Sequence, residues 1–201
     1  MKLWSMPSSG NSYKVRLALA LLGREAELVD IEAGSPEIVV AHATGRLPFG
    51  KAPVPELPGG DILPESNAIL KWLGEGSALV PSDPDDRAMM LAWMFWEQNQ
   101  HEGTIAVRGA LRHYPDRRHL ATPERMAELL DRGHAALAVM EKRLAEHEWL
   151  VGSSVSLADI CLYAYTDSAD SRGGFDMARY PGITRWLDRI AGLPGYIGID
   201  A

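Results

Sequence analysis

Three short stretches carry the residue types from which a ligand site could be built: Ser8-Ser9-Gly10-Asn11, Lys51-Ala52-Pro53-Val54 and Glu65-Ser66-Asn67. A proline entering a strand can be cis, which turns the backbone of the preceding residue outward. The N–H and C=O of Ala52 could then pair with an extended peptide, as an added strand would. Glu65-Ser66 follows Pro64 and opens a helical pattern. Unpaired first-turn N–H groups carry partial positive charge and suit a carboxylate. The Ser66 hydroxyl can add a donor and Glu65 can accept from an ammonium, so the pair matches the α-amino acid end of a ligand. Ser8, Ser9 and Asn11 stand between a strand-like and a helical segment. A hydroxyl or amide there can hydrogen-bond a thiolate, and the helix dipole assists, lowering a thiol pKa from about 8.5 toward neutrality. Each stretch also has a plainer reading: a trans proline at a strand start, and helix capping by Ser66, Ser9 or Asn11. Taken singly, the plainer reading is the stronger one. Tyr13 is a further hydroxyl, but it falls inside the helical pattern.

The elements that must position these residues are legible in order. Lys2 to Ser5 reads as a short strand broken by Pro7-Ser8-Ser9-Gly10. Val15, Ala18, Leu19 and Leu22 follow helical spacing, with Gly23 as a stop. Glu27 to Ile31 alternates charged and apolar residues, which suits a strand. Strand, helix and strand over about thirty residues is the length of a βαβ unit. Ser35 and Pro36 open a helix to Ala43. Val54–Leu57 and Asp61–Leu63 predict a hairpin around Pro58-Gly59-Gly60. Pro55 requires its strand to be an edge, or to draw its ladder bonds from neighbouring residues. Ile69, Trp72 and Leu73 give a last helix face. The order β-α-β-α-β-β-α is therefore predicted for residues 1–75.

Residues 76–84 are rich in Gly, Ser, Pro and Asp and read as a linker. Beyond it strand signals vanish, and residues 85–201 read as an all-helical domain. Asp85 to about Arg112 predicts one long helix bearing Trp93 and Trp96, whose spacing is commoner in cores and interfaces than in ligand pockets. Thr122-Pro123 opens a helix with Met126, Leu130, Gly133, Leu137, Met140 and Leu144 on one face. Ser156 and Asp159 form a capping box with Asp in place of Glu, and Val155 and Ile160 can staple it. Ile183, Trp186, Leu187 and Ile190 make a last helix, stopped by Gly192 and Pro194. Glu97, His101 and Glu102 have helix spacing that mimics metal ligation, but no further ligand is evident to complete a site and no metal is expected. Arg108 and Arg112, one turn apart, read as solvated or paired before they read as an anion subsite. Cys161 falls on an apolar helix face and reads as inert.

Composition narrows the function classes. The 201 residues are 46% apolar, enough for a sizeable core, and the formal net charge is −7. That balance argues against general nucleic-acid binding, since phosphate contacts need clustered Lys and Arg. A single cysteine permits no intrachain disulfide, which suits a reducing, cytoplasmic setting. The start Met1-Lys2-Leu3 leads directly into the first strand. No apolar run is long enough for a signal peptide or a membrane span.

Together these features resemble the cytosolic glutathione transferase family over nearly the whole chain. The carriers are Pro48-Phe49-Gly50-Lys51, Ala52-Pro53-Val54, Glu65-Ser66-Asn67-Ala68-Ile69, the linker, Trp96-Glu97-Gln98 and Ser156-Leu157-Ala158-Asp159-Ile160. The resemblance implies a thioredoxin-like N-terminal domain followed by an all-α domain, usually as a homodimer. It implies a cis Pro53, with the Ala52 backbone binding the cysteinyl part of glutathione. It implies Glu65 and Ser66 at the γ-glutamyl end and Lys51 near the glycyl carboxylate. Ser9 is the best match for the thiol-activating group, with Asn11 a second donor and Ser8 an adjacent candidate. Glutathione would serve as co-substrate, its thiolate attacking a small hydrophobic electrophile near Trp93, Trp96 and the Gln100–Thr104 region. Family peroxidases and isomerases, and a silent interaction module, are alternatives that fold alone does not separate. The absence of any cysteine in the N-terminal half weighs against a thiol–disulfide reductase. Pro55 stands where family members commonly carry an aliphatic run, which could loosen that edge.

Overall fold

The first strand of the chain lies in the middle of its sheet. In the computed structural model, which describes residues 1–201, β1 (Lys2–Ser5) pairs in parallel with β2 (Glu27–Asp30) and antiparallel with β3 (Val54–Glu56). The sheet order is β2-β1-β3. Lys2 stands opposite Glu27 on one side and Glu56 on the other, so a cation faces an acid across each ladder. Along β1, Leu3 and Ser5 are buried while Lys2 and Trp4 are half-buried, the period-2 pattern of a pleated strand.

The chain forms two units, Met1–Val80 with Ala191–Ala201, and Pro81–Ile190. In the first, α1 (Gly10–Leu21) joins β1 to β2. It ends as Gly23 was expected to end it. Gly23 has φ 61°, its N–H donates to Ala20 O, and the Arg24 N–H reaches back to Leu19 O. A residue with a Cβ would pay to hold that left-handed turn. Ser35 caps α2 (Pro36–Ala43) by accepting from Ile38 N, with Pro36 in the first helical position. Ile31, Ala41, Leu47 and Val54 form one buried cluster, against which Trp4, Val29 and Ile38 pack. α3 (Ser66–Gly74) packs on α1.

Two expectations for this unit change. The hairpin partner Asp61–Leu63 is a single bridge, Glu56↔Ile62, and not a strand. Two backbone bonds flank that bridge, Leu57 N to Asp61 O at 2.8 Å and Leu63 N to Pro55 O at 3.2 Å. Gly60 (φ 88°) turns the chain just before it, and Pro64, which has no N–H, ends the pairing just after. Pro55 is accommodated because β3 is an edge strand. The tail Ala191–Ala201, assigned from sequence to the helical domain, packs instead on α1. Tyr13 Oη donates to Ile197 O at 2.8 Å and Arg16 Nη2 to Ile199 O at 2.7 Å.

The second unit is helical. α4 (Pro84–Trp96) starts one residue earlier than predicted, because Asp83 accepts from Asp85 N and Asp86 N and Pro84 takes the first position. The single long helix expected to about Arg112 is broken into three. α4 passes into a π-helical segment, Glu97–Ala106, and then α5 (Val107–His113). Within the wider segment Thr104 Oγ1 donates to the carbonyl of Gln100, four residues back, at 2.7 Å. Such side-chain bonds compete with the regular i→i−4 ladder. α6 (Pro123–Leu144) is capped by Thr122 and buries Leu129, Gly133, Leu137, Met140 and Leu144. α7 (Leu157–Thr166) and α8 (Pro181–Ala191) complete the unit.

Asp159, 0% exposed, is the polar centre of that core. Its Oδ1 accepts from Leu150 N (3.0 Å) and Trp186 Nε1 (2.9 Å), and its Oδ2 from Ser156 N and Ser156 Oγ (both 2.8 Å). Burial pushes the Asp159 pKa up, and these donors oppose the shift.

Candidate functional site

The candidate site lies where two helices of the first unit begin. α1 opens after Ser9, whose hydroxyl oxygen accepts from Ser12 N at 3.4 Å, while the Ser9 N–H closes a turn onto Met6 O at 3.0 Å. Ser12 Oγ accepts from Met6 N at 3.0 Å and is wholly buried. The loop is therefore tied at both ends before any side chain faces outward.

α3 opens differently. Ser9, Ser35, Asp83 and Thr122 each cap their helices through a side chain, but the N-cap of α3, Glu65, makes no such bond. Glu65 is also the one non-glycine residue with positive φ (φ 71°, ψ 111°). A backbone held there costs about 1–3 kcal/mol, and such outliers collect at functional sites. The pattern leaves an open helix N-terminus behind an exposed carboxylate.

A hydrogen bond joins the two openings. Ser66 Oγ donates to Asn11 Oδ1 at 3.0 Å, with Ser66 only 6% exposed. One turn further on, the buried Lys14 donates from Nζ to Asn67 Oδ1 at 3.3 Å. The N-termini of α1 and α3 are thus laced together by side chains. The Ala52–Pro53 bond that leads into β3 is cis. Ala52 is half-buried, Pro53 buried and Lys51 exposed.

The sequence candidates separate on these contacts. Asn11 and Ser66 touch. Ser9 lies in the loop with its oxygen accepting from the helix. Ser8 is committed elsewhere: Ser8 Oγ donates to Glu32 Oε1 at 2.8 Å, and Ser8 N to Glu32 Oε2 at 3.2 Å. Tyr13 is taken up by the C-terminal tail. Neither the α1–α3 lacing nor Glu32 was found from sequence. Asn11 and Ser66 are 55 residues apart and Ser8 and Glu32 are 24 apart, and no local pattern signals such pairs.

In the helical unit, Trp93 and Trp96 are half-buried and meet edge to face, ring centres 5.3 Å apart. Gln100 is exposed. Thr104 is not available beside it: it is 1% exposed and its hydroxyl is spent on the carbonyls of Gln100 and His101. His101 and Glu97 are fully buried and serve internal bonds, His101 Nε2 with Thr166 Oγ1 (2.8 Å) and Glu97 Oε2 with the thiol of Cys161 (3.3 Å). No group of three His, Cys, Asp or Glu side chains is placed to hold a metal ion. Arg108 donates to the carbonyls of Gly173 and Met126, and burial followed by its neighbour Arg112 lowers its pKa.

Residues 3–80 match the family described as glutathione S-transferase, N-terminal domain, and residues 123–189 match glutathione S-transferase, C-terminal domain. The chain belongs to the cytosolic glutathione transferase family. The first unit is the family's thioredoxin-like domain and the second its helical domain. Among solved structures, a glutathione S-transferase from Pseudomonas fluorescens is 41% identical, with 98% of each chain covered and a TM-score of 0.91. The "Disulfide-bond oxidoreductase YfcG" of Escherichia coli is 29% identical over 92% of this chain and 87% of that protein. "Glutathione S-transferase 3" of Zea mays is 29% identical over 98% of this chain and 91% of that one. No helix is long and apolar enough to cross a membrane.

Proposed function

We propose that this protein is a cytoplasmic glutathione transferase that binds glutathione across the laced helix openings and directs its thiolate at a small hydrophobic electrophile. One arrangement carries the reading. An uncapped α3 N-terminus, entered through the strained Glu65, is hydrogen-bonded through Ser66 to the first turn of α1. The α3 opening suits the γ-glutamyl carboxylate, Glu65 its ammonium, the Ala52 backbone the cysteinyl part and Lys51 the glycyl carboxylate. Ser9 then donates to the thiolate, with Asn11 a second donor that also fixes Ser66. The enzyme holds the thiol, raises its thiolate fraction and keeps the electrophile near it. Trp93, Trp96 and Gln100 are the proposed contacts for that electrophile. Exposed apolar side chains at Phe49, Met89 and Phe95 support assembly as a homodimer.

A second reading has an observation of its own. A relative named for disulfide-bond oxidoreduction matches most of this chain. The argument against such chemistry is the lack of a cysteine in the N-terminal half, and the one thiol of the chain, Cys161, is buried. Disulfide exchange here would use the glutathione thiolate itself: it attacks a substrate disulfide, forms a mixed disulfide and expels one substrate thiolate, and a second glutathione then releases the other substrate thiol as glutathione disulfide forms.

The test is turnover of purified protein against aryl halides, epoxides, hydroperoxides and small disulfides, each with and without glutathione. Conjugates that need glutathione and Ser9 support the transferase reading. Turnover of disulfides alone would replace it with the second, and no glutathione-dependent turnover of any class would refute both.

A further inference from the structure

The loop that leads into α1 holds more hydrogen-bonding side chains than a thiolate needs, and their hydrogen bonds sort them. A serine hydroxyl has one hydrogen to donate. The Ser8 hydrogen points at Glu32 Oε1, 2.8 Å away. The same carboxylate accepts from Ser8 N at 3.2 Å and from Ala33 N at 3.0 Å, so its charge is held by three donors. Ser12 is wholly buried, its oxygen engaged by Met6 N. Asn11 Oδ1 is engaged by Ser66. Ser9 differs: its oxygen accepts from Ser12 N, which leaves its hydrogen for an incoming acceptor.

We propose that Glu32 is a positioning residue of the thiol site, holding Ser8 as a donor to its own carboxylate and so making Ser9 the hydroxyl that donates to a glutathione thiolate. The proposal rests on the loop being the thiol site, as argued above. Glu32 lies beyond β2 and is no part of any helix start, and its bonds to the loop before α1 are those to Ser8. Its role is selection as well as anchoring. With the carboxylate gone, the Ser8 hydrogen is released and two hydroxyls compete for one thiolate.

This predicts a rescue that a purely structural Glu32 would not produce. Ser9→Ala should raise the pKa of bound glutathione, read by thiolate ultraviolet absorbance, by about one pH unit and lower kcat about tenfold, the worth of one hydrogen bond to a charged group. Adding Glu32→Ala should recover about threefold or more of the lost rate by freeing Ser8, and adding Ser8→Ala to that pair should remove the gain. Glu32→Gln, which keeps an acceptor for Ser8, should not rescue Ser9→Ala. Should the alanine variant fail to fold, Glu32→Leu fills the same volume and accepts nothing. If Ser9→Ala/Glu32→Ala (or Glu32→Leu) is no faster than Ser9→Ala alone while the single variant has lost its thiolate, Glu32 is only an anchor and the proposal is overturned. If Ser9→Ala itself leaves the thiol pKa unchanged, the reading of the loop fails and the proposal falls with it.

Discussion

Replacing Asp159 by asparagine should be nearly as damaging as replacing it by alanine. All four hydrogen bonds to its carboxylate come from donors, two on each oxygen, and no lone pair is left for a proton or turned toward an acceptor. An asparagine of the same shape must aim its NH2 group at one of those pairs. Flipping the amide exchanges a clash with Ser156 N for one with Leu150 N and Trp186 Nε1. The site is 0% exposed, so water cannot fill in. A buried donor left unmet costs about 1–3 kcal/mol, and three N–H groups lose their acceptor in Asp159→Ala. These costs do not add fully, so about 3–5 kcal/mol is expected for Asp159→Ala and about 2–4 kcal/mol for Asp159→Asn. At about 2–4 °C per kcal/mol for a chain of this length, melting should fall by roughly 6 °C or more in Asp159→Ala and roughly 4 °C or more in Asp159→Asn. The assay is urea and thermal unfolding followed by tryptophan fluorescence, since Trp186 is one of the donors. If Asp159→Asn lost less than about 1 kcal/mol, at least one of these contacts would have to be a carboxylic O–H donating outward, and the four-donor account would be wrong.

Three further outcomes follow from single contacts. Gly133→Ala places a methyl 2.4 Å from the Phe175 ring, so stability should fall by about 1–3 kcal/mol in urea titration. His134, bonded from Nδ1 to Tyr180 Oη at 2.8 Å, has its pKa lowered by burial and then by Arg179, against the pull of Asp176 and Asp131. Because the folded value lies below the unfolded one, its contribution is present above pH 6.5 and is lost as pH falls through the folded pKa, and His134→Leu should flatten that part of a stability–pH profile. Ser66→Ala should weaken glutathione binding about tenfold in calorimetry while leaving the fold intact, since it breaks the bond to Asn11 that holds the α3 opening against α1.

What could be read from sequence was what neighbours in sequence decide. Ser35-Pro36, Thr122-Pro123 and Ser156 with Asp159 are complete capping signals within four residues, and each marks a helix start in the structure. Asp83-Pro84 is the same signal, masked by a stretch whose composition reads as linker. In the π-helical segment Glu97–Ala106, Glu97, His101 and Thr104 are buried and the segment packs against α6 and α7, contacts that periodicity over one segment cannot express. The same limit hid the tail packed on α1 and the burial of Thr104. At the site, the residue types at each helix start were legible, because open N-termini and hydroxyls are local. Their division of labour was not. That Ser8 is spent on Glu32, and that Asn11 holds Ser66, depends on which segments the fold brings side by side.

The most direct test of the account is a calorimetric titration of the purified protein with glutathione, beside the Ser66→Ala and Ser9→Ala variants. Saturable binding of one glutathione per chain is predicted, weakened by Ser66→Ala through affinity, whereas Ser9→Ala should change the bound thiol's pKa more than the dissociation constant. Absence of saturation at about 10 mM glutathione, equivalent to less than about 3 kcal/mol of binding, would contradict the account at its root.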